Sequence, residues 1–278
     1  MSIVNSNLSA VSAQRALGIN QRALSTAMNQ LSTGKRINGS ADDAAGLAVG
    51  NKLGMRIASL DMAVRNANEG ISLLQTADGA AGNLSDMLFR MRELAVQSAS
   101  DTYSDSDRSA LQLEMSSLQE QIGDVLYNTE WNGMKALQGE AGTSGSVSFQ
   151  VGASSSDSFT LEMASLDADA LADAQTTALV DISTRSGATN SLSTIDDALT
   201  QIDQARTLWG ATSNRLLYAA DSAANVSMNS SASRSRIMDA DYAQTTADLA
   251  KAMILDQAGS AMLSQANQKP MYVLALLR

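Results

Sequence analysis

Leu74-Gln-Thr-Ala77-Asp-Gly-Ala-Ala81-Gly-Asn-Leu84-Ser-Asp-Met-Leu88-Phe-Arg-Met91-Arg-Glu-Leu-Ala95 places an apolar residue at alternating steps of three and four without a break. A 3.5-residue period draws a narrow seam down one side of a helix, the pattern of coiled-coil packing. The pattern recurs along the chain. Leu111, Met115, Leu118, Ile122 and Val125 form a second series. Ile195, Ile202, Trp209 and Leu216 stand seven apart, with Leu199 and the stem of Arg206 between them. Shorter series occur near the start (Leu17, Leu24, Met28, Leu31) and near the end (Leu255, Ala258, Met262). Two heptads alone would fit any amphipathic bundle helix. Several separate series, with one proline in 278 residues, favour coiled coil. Proline removes a backbone donor and clashes with the preceding turn, so its scarcity permits long helices.

Outward from that stretch, the polar run Ser98 to Asp107 is rich in turn formers and should reverse the chain. The helix before it, Ala44 to Ser98, would be about 80 Å long. The helix after it should run back antiparallel to Asn128. Ser40-Ala-Asp-Asp43 reads as a capping box, with Ser40 as N-cap and Asp43 reaching back. Gly46, Gly50 and Gly54 then share one face and predict close approach by a neighbouring helix, at about 1 kcal/mol of propensity per glycine. Lys52 and Arg56 in the same turns speak against a lipid setting for that spacing.

The middle changes period. Val147, Phe149 and Val151 alternate with polar residues, and so do Phe159, Leu161 and Met163. Period two marks half-buried strands. The Gly152 to Ser158 link predicts one β-hairpin between them. Residues 167–190 are weakly helical, and the helical pattern resumes at Ser193. The fold class that follows is mainly α: a long-helix antiparallel coiled-coil bundle with one small β-hairpin mid-chain. Residues 1–43 and 234–278 read as one helical pair with a connecting segment. Residues 44–137 and 191–233 read as the outgoing and returning parts of the coiled coil, and 138–190 as a short surface insertion.

Composition narrows the function. With no His and no Cys, the chain has no Ser-His-Asp triad, no Cys-His pair, no zinc site of the usual N/S type and no disulfide. Gly34-Lys35 lacks the rest of a phosphate loop, since Asn29 and Arg36 stand where Gly and Ser/Thr are required. Asp167 and Asp169 begin like a calcium loop, but Leu171 occupies the next ligand position. Asp42 and Asp43 fit helix-start caps better than acid/base work. Asp239 and Asp241 would point to different faces of a helix and could not share a metal. No cofactor and no catalysis are expected. The net charge of −10 argues against nucleic acid. Residues 140–190 carry seven acids and one base, whereas residues 1–41 carry four bases and no acid. No basic-then-apolar leader opens the chain, and Met271 to Leu277 falls short of the about 20 residues a membrane span needs.

Longer motifs carry a resemblance. Leu31-Ser-Thr-Gly-Lys-Arg-Ile-Asn38, Ala41-Asp-Asp-Ala-Ala-Gly-Leu-Ala48, Arg65-Asn-Ala-Asn-Glu-Gly-Ile-Ser-Leu-Leu-Gln-Thr-Ala77 and Arg90-Met-Arg-Glu-Leu-Ala-Val-Gln97 are similar to the N-terminal signature of bacterial flagellins. Ser235-Arg-Ile-Met-Asp-Ala-Asp-Tyr-Ala243, Gln257-Ala-Gly259, Gln265-Ala-Asn-Gln268 and Val273-Leu-Ala-Leu-Leu-Arg278 are similar to the C-terminal one. The resemblance covers residues 1–137 and 190–278. It implies a structural subunit that is exported unfolded through the flagellar type III channel, without a cleaved signal peptide. Outside the cell such a subunit polymerises into the flagellar filament. It implies terminal helices that fold and pair on assembly, with copies of the same chain as the main partner. An export chaperone, the cap and the hook-junction proteins are implied as further partners. A hook–filament junction protein, with flagellin-like ends but no long polymer, is the competing structural reading.

By the same resemblance, self-assembly is expected to involve Leu31, Lys35, Arg36, Ile37, Asp42, Asp43, Arg236, Asp239, Asp241, Gln265, Asn267, Gln268, Leu276, Leu277 and Arg278. In some relatives a host innate immune receptor reads residues matching Arg90, Glu93, Leu94, Gln97 and Glu114. The alternative is that these five serve subunit packing or solvation. Two positions depart from the family pattern: Phe89 replaces a polar residue, and Trp131 stands where Phe is usual.

Overall fold

The computed structural model describes residues 6–139, 141–142, 145–163, 165–166 and 180–275, with side chains to residue 269. The helices are α1 (Leu8–Thr33), α2 (Ala44–Ser98), α3 (Asp105–Asn128), α4 (Arg185–Met238) and α5 (Tyr242–Ala275). Two antiparallel strand pairs lie between α3 and α4: β1 (Glu130–Trp131) with β2 (Met134–Lys135), and β3 (Ser146–Gln150) with β4 (Ser158–Glu162). The fold is the mainly α, long-helix arrangement that the heptads predict. The chain forms two compact units, Met1–Ile57 with Met228–Arg278, and Ala58–Ser227.

The 58–227 unit holds a continuous core. Leu74, Ala77, Ala81, Leu84, Leu88, Met91 and Ala95 are all buried, so the opening heptad is the seam itself. Met115 and Ile122 of α3 are buried with it, and Leu111, Leu118 and Val125 pack against it. From α4, Ile195, Ile202, Trp209 and Leu216 are buried. Polar side chains at the seam edges give the direction. Arg90 bonds Glu114 at 2.8 Å while Arg108 donates to the Ser98 carbonyl at 2.9 Å, so α3 runs antiparallel to α2. Arg92 bonds Asp196 at 2.7 Å, Arg206 bonds Asp78 at 2.8 Å, and the Ser227 hydroxyl donates to Asp61 at 2.8 Å. Those pairs step down α2 as they step up α4, so these helices are antiparallel too.

The α2–α3 reversal falls where the polar run places it. Ser104 caps α3 by accepting from the Asp107 N–H, while the Asp107 carboxylate accepts from the Ser104 N–H and hydroxyl. Those bonds hold the Asp107 carboxyl below the usual carboxylate range. A depressed carboxyl stabilises the fold above its unfolded pKa and loses that contribution as pH falls through the folded one. Ser104→Ala is expected to cost about 1 kcal/mol, read as a lower urea midpoint at neutral pH. The loss should shrink on acidification, once Asp107 is protonated in both chains.

Three expectations need correction. The mid-chain β structure is two strand pairs, not one. The longer hairpin joins the two alternating runs as expected, with Val147 opposite Leu161 and Phe149 opposite Phe159, and it buries Phe149, Leu161 and Met163 in the core. The second hairpin turns at Asn132 (φ 49°) and Gly133 (φ 77°). Asn-Gly readily supplies the two positive φ values that a two-residue hairpin turn needs. Next, α2 is capped by Asp43, whose carboxylate accepts from the Gly46 N–H at 2.8 Å, and not by Ser40. Finally, α4 starts at Arg185, ahead of Ser193. Its first turns bury Ala188 and Ser191, residues too small or too polar to show as a hydrophobic period. Of the 167–190 segment, residues 167–179 lie outside the described residues.

Candidate self-assembly site

The unit formed by the two chain ends is built on the pairing of α1 with α5. Asn7 begins α1: its side-chain carbonyl accepts from the Ala10 N–H at 3.1 Å, and its amide donates to the Ala266 carbonyl at 2.7 Å. Asn20 donates to the Ala252 carbonyl at 2.7 Å, and the Tyr242 hydroxyl donates to the Leu31 carbonyl at 3.2 Å. The three bonds fix an antiparallel register. Between them Ala10, Ala13, Leu17, Asn20, Leu24, Ala27 and Leu31 face Thr245, Leu249, Ala252, Asp256, Gly259, Leu263 and Ala266. Both series keep the 3-4 step of a coiled coil. Asn20 interrupts the apolar series of α1, which is why sequence periodicity alone passes over it.

On α5 this is a different face from the expected one. Leu255 and Met262 are exposed, because the residues that meet α1 are smaller and lie on an adjacent face of the helix. Leu255, Ala258 and Met262 instead line an open groove along the pair, together with Ala13, Leu17 and Lys269. On α1, Leu8, Val11, Arg15, Ile19 and Arg22 form a second, exposed stripe opposite the seam. Within this unit only Ala27, Ile37, Met238 and Ala252 are buried apolar residues, among the described ones. The terminal pair therefore leaves most of its large apolar side chains uncovered.

The segments joining α1 to α2 and α4 to α5 lock to each other. Lys35 and Asp239 form an antiparallel bridge, flanked by Arg36 N–H to the Met238 carbonyl (2.7 Å) and Ala240 N–H to the Gly34 carbonyl (2.9 Å). The Arg36 guanidinium also donates to the Ile237 carbonyl at 2.7 Å. Gly34 ends α1 at φ 69°, the left-handed cap that glycine adopts freely. Asp42 accepts from the Asn38 and Gly39 N–H groups, and Asp239 accepts from the Ser235 hydroxyl. Asp241 accepts from the Ala243 and Gln244 N–H groups and so caps α5. Ile37 is buried beneath, and α2 passes close by. A Cβ on Gly46 would stand 2.6 Å from Ile37 Cδ1, and one on Gly50 would stand 2.5 Å from Met238 Sδ. The close approach by a neighbouring helix expected from the glycine spacing holds at Gly50, where Met238 ends α4; Gly46 meets the linker residue Ile37 and its own cap Asp43 instead. Gly54 has ordinary room, with Arg234 at 3.9 Å.

Of the residues singled out from sequence, Leu31, Lys35, Arg36, Ile37, Asp42, Asp43, Asp239 and Asp241 thus come together at the α1 end and the two linkers. Arg236 is exposed in the last turn of α4. Gln265, Asn267 and Gln268 are exposed far along α5. Leu276, Leu277 and Arg278 lie outside the described residues. Asn7, Asn20 and Tyr242 were not among the candidates, yet they set the register.

In the 58–227 unit, the guanidinium of Arg90 lies between Glu114 and Glu93 (2.8 and 2.9 Å), whose carboxylates hold it above the ordinary arginine value. The Gln97 amide donates to the Tyr103 hydroxyl at 2.9 Å. Leu94 differs from its four companions: it is fully buried in the core and is not available to a surface partner.

Residues 4–142 match the family model for the bacterial flagellin N-terminal helical region, and residues 192–277 match the one for the C-terminal helical region. The chain belongs to the bacterial flagellin family. Flagellin from Halalkalibacterium halodurans is 41% identical over 276 residues, covering 99% of this chain and all of that one. The flagellar filament 33 kDa core protein of Treponema phagedenis is 37% identical over 285 residues, with 99% and 100% covered. The crystal structure of Bacillus cereus flagellin is 28% identical and covers 57% of this chain and 88% of its own, with a TM-score of 0.50. As a flagellin, the protein is a structural filament subunit and not an enzyme.

Proposed function

We propose that this flagellin polymerises into the extracellular flagellar filament through its terminal unit. Residues 1–43 and 234–278 form the inner layer, and 44–137 with 191–233 form the outer coiled-coil layer. The observation that carries this reading is the uncovered apolar surface of α1 and α5, beside a 58–227 unit whose own seam is buried. Each large aliphatic side chain that a neighbouring copy covers contributes about 1.5–3 kcal/mol. Contacts between unlike faces of identical chains do not close, and so build helical fibres. Before assembly the terminal segments lack that cover and do not repay the entropy of ordering, so they travel unfolded and fold among their neighbours. Export through the flagellar channel, with a chaperone for the free chain and the cap and hook-junction proteins at the filament ends, fits this path. No helix among the described residues is long and apolar enough to cross a membrane. Arg90, Glu93 and Glu114 are exposed and Gln97 is half-buried; these four are the set that an innate receptor would meet.

The test is to depolymerise the protein by heat, cool it with filament seeds and image it by electron microscopy. Filaments that lengthen with added protein are expected. Protein that stops at rings or short oligomers would favour the junction reading. In the free chain, α1 amides should exchange with solvent as fast as an unfolded peptide, and protection there would contradict folding on assembly.

A further inference from the structure

We infer that the exposed methionines of the terminal unit are an oxidation site through which peroxide-class oxidants stop assembly, an inference that rests on the filament reading above. The chain has fourteen Met and no Cys, so thioethers are the sulfur that a two-electron oxidant can reach. Their placement is uneven. In the terminal unit Met28, Met55, Met228, Met253 and Met262 are exposed, with Met55 at 66% and Met262 at 65%. Met238, packed against Gly50, is buried there. In the 58–227 unit Met91, Met115 and Met163 are buried, and Met87 and Met134 are half-covered. Met62 is exposed, but its sulfur takes the Arg65 guanidinium. Among the described side chains, oxidisable sulfur open to solvent is therefore concentrated on the unit with the sparse core.

The chemistry balances with hydrogen peroxide as the co-reactant. The peroxide O–O bond breaks and one oxygen forms a bond to the methionine sulfur. The sulfur gives up two electrons, and the other oxygen leaves as water with both peroxide hydrogens. The product is a sulfoxide, which converts an apolar side chain into a polar one and disrupts surfaces that rely on methionine. Met253 and Met262 lie on α5, Met28 on α1, Met55 on α2 and Met228 on α4. A sulfoxide oxygen carried into a packed interface must find a donor or lose its hydration. The 58–227 unit keeps its core sulfurs shielded and stays folded. The same sulfurs become shielded when neighbours cover them, so the free subunit is the vulnerable form and the finished filament the protected one.

The experiment compares free subunit, preformed filament and a fivefold Met→Leu chain (M28L, M55L, M228L, M253L, M262L), each with and without hydrogen peroxide. Leu conserves volume and apolarity but cannot be oxidised. Peptide mass spectrometry should find sulfoxide on the five exposed sites of the free subunit before Met91 or Met115, and much less in filaments. Seeded elongation of the oxidised subunit should slow by about tenfold or more, with the far-UV melt of the 58–227 unit unchanged. The fivefold variant should elongate equally well before and after peroxide. Methionine sulfoxide reductases for both epimers should restore elongation of the oxidised native chain, an arm that holds even if the variant assembles poorly. Unchanged elongation after the five sites are oxidised overturns the inference, as does reductase treatment that removes the sulfoxides without restoring it. If the untreated chain never elongates, the filament reading itself falls, and the inference with it.

Discussion

Trp209→Ala is expected to destabilise the 58–227 unit by about 3–5 kcal/mol, and Trp209→Phe by no more than about 1 kcal/mol. Trp209 is 1% exposed and is the largest fully buried side chain of the molecule. It occupies the seven-residue series of α4 with Ile195, Ile202 and Leu216, and stands beside Leu74 and Asp78 of α2. Truncation to Ala removes an indole from the middle of a seam between long helices. Helices tied along their length by Arg92–Asp196 and Arg206–Asp78 pairs cannot close the resulting cavity locally. The thermal midpoint should fall by roughly 6–20 °C for a unit of this size. Phe behaves differently for a specific reason. The indole N–H of Trp209 is buried without a hydrogen-bond partner. Leaving such a donor unmet costs about 1–3 kcal/mol. Phe deletes that donor while keeping a ring in the seam, so lost area and relieved desolvation largely offset each other. Circular dichroism melts of the depolymerised chain would decide between the two. Equal losses for Ala and Phe would show that the orphaned donor carries no penalty.

Large apolar side chains spaced along one helix face are legible from sequence because period and burial coincide there. All seven residues from Leu74 to Ala95 in the opening series are buried, and the limits of α2 fall at Ala44 and Ser98 as read. Legibility fails where a small or polar residue does the packing. Ala188 and Ser191 hide the first turns of α4, and Gly259, Ala252 and Thr245 hide the true seam of α5. Their burial arises from close backbone approach, which leaves no hydrophobic period to find. The hairpin at Asn132-Gly133 is short enough that alternation has no room to develop; its turn dipeptide was the available signal. The linker lock was half legible. Lys35, Arg36, Asp239 and Asp241 were marked by motif resemblance, but their bridge is made by backbone groups of residues more than 200 positions apart, a pairing that no local pattern encodes. Leu94 shows the opposite error: a residue grouped with polar neighbours as a surface feature sits next to the heptad position Ala95 and is buried in the same core.

Replacing the outer stripe of α1 by serine (Leu8→Ser, Val11→Ser and Ile19→Ser together) is expected to abolish filament growth without unfolding the 58–227 unit. The three side chains are exposed and lie opposite the seam. The residues that hold α1 to α5, from Ala10 to Leu31, are untouched, as are the Asn7, Asn20 and Tyr242 bonds that set its register. Nothing in the 58–227 unit changes, so its melt should move by no more than about 0.5 kcal/mol, the usual range for surface substitutions. Assembly differs because each stripe residue is proposed to be covered by a neighbouring copy. At about 1.5–3 kcal/mol per side chain, three removals forfeit roughly 4–9 kcal/mol, and each 1.4 kcal/mol is tenfold in affinity. The critical concentration should therefore rise by about a thousandfold or more, beyond reach in a pelleting assay that detects native filaments readily. A conservative companion, Leu8→Met with Ile19→Val, keeps the surface apolar and should polymerise close to the native concentration. The neighbouring Arg15 and Arg22 remain in every variant, so charge is held constant and only apolar cover is tested. Native-like pelleting of the serine variant would place the stripe in solvent within the filament, and the inner layer would then have to be built on the groove face of α5 instead.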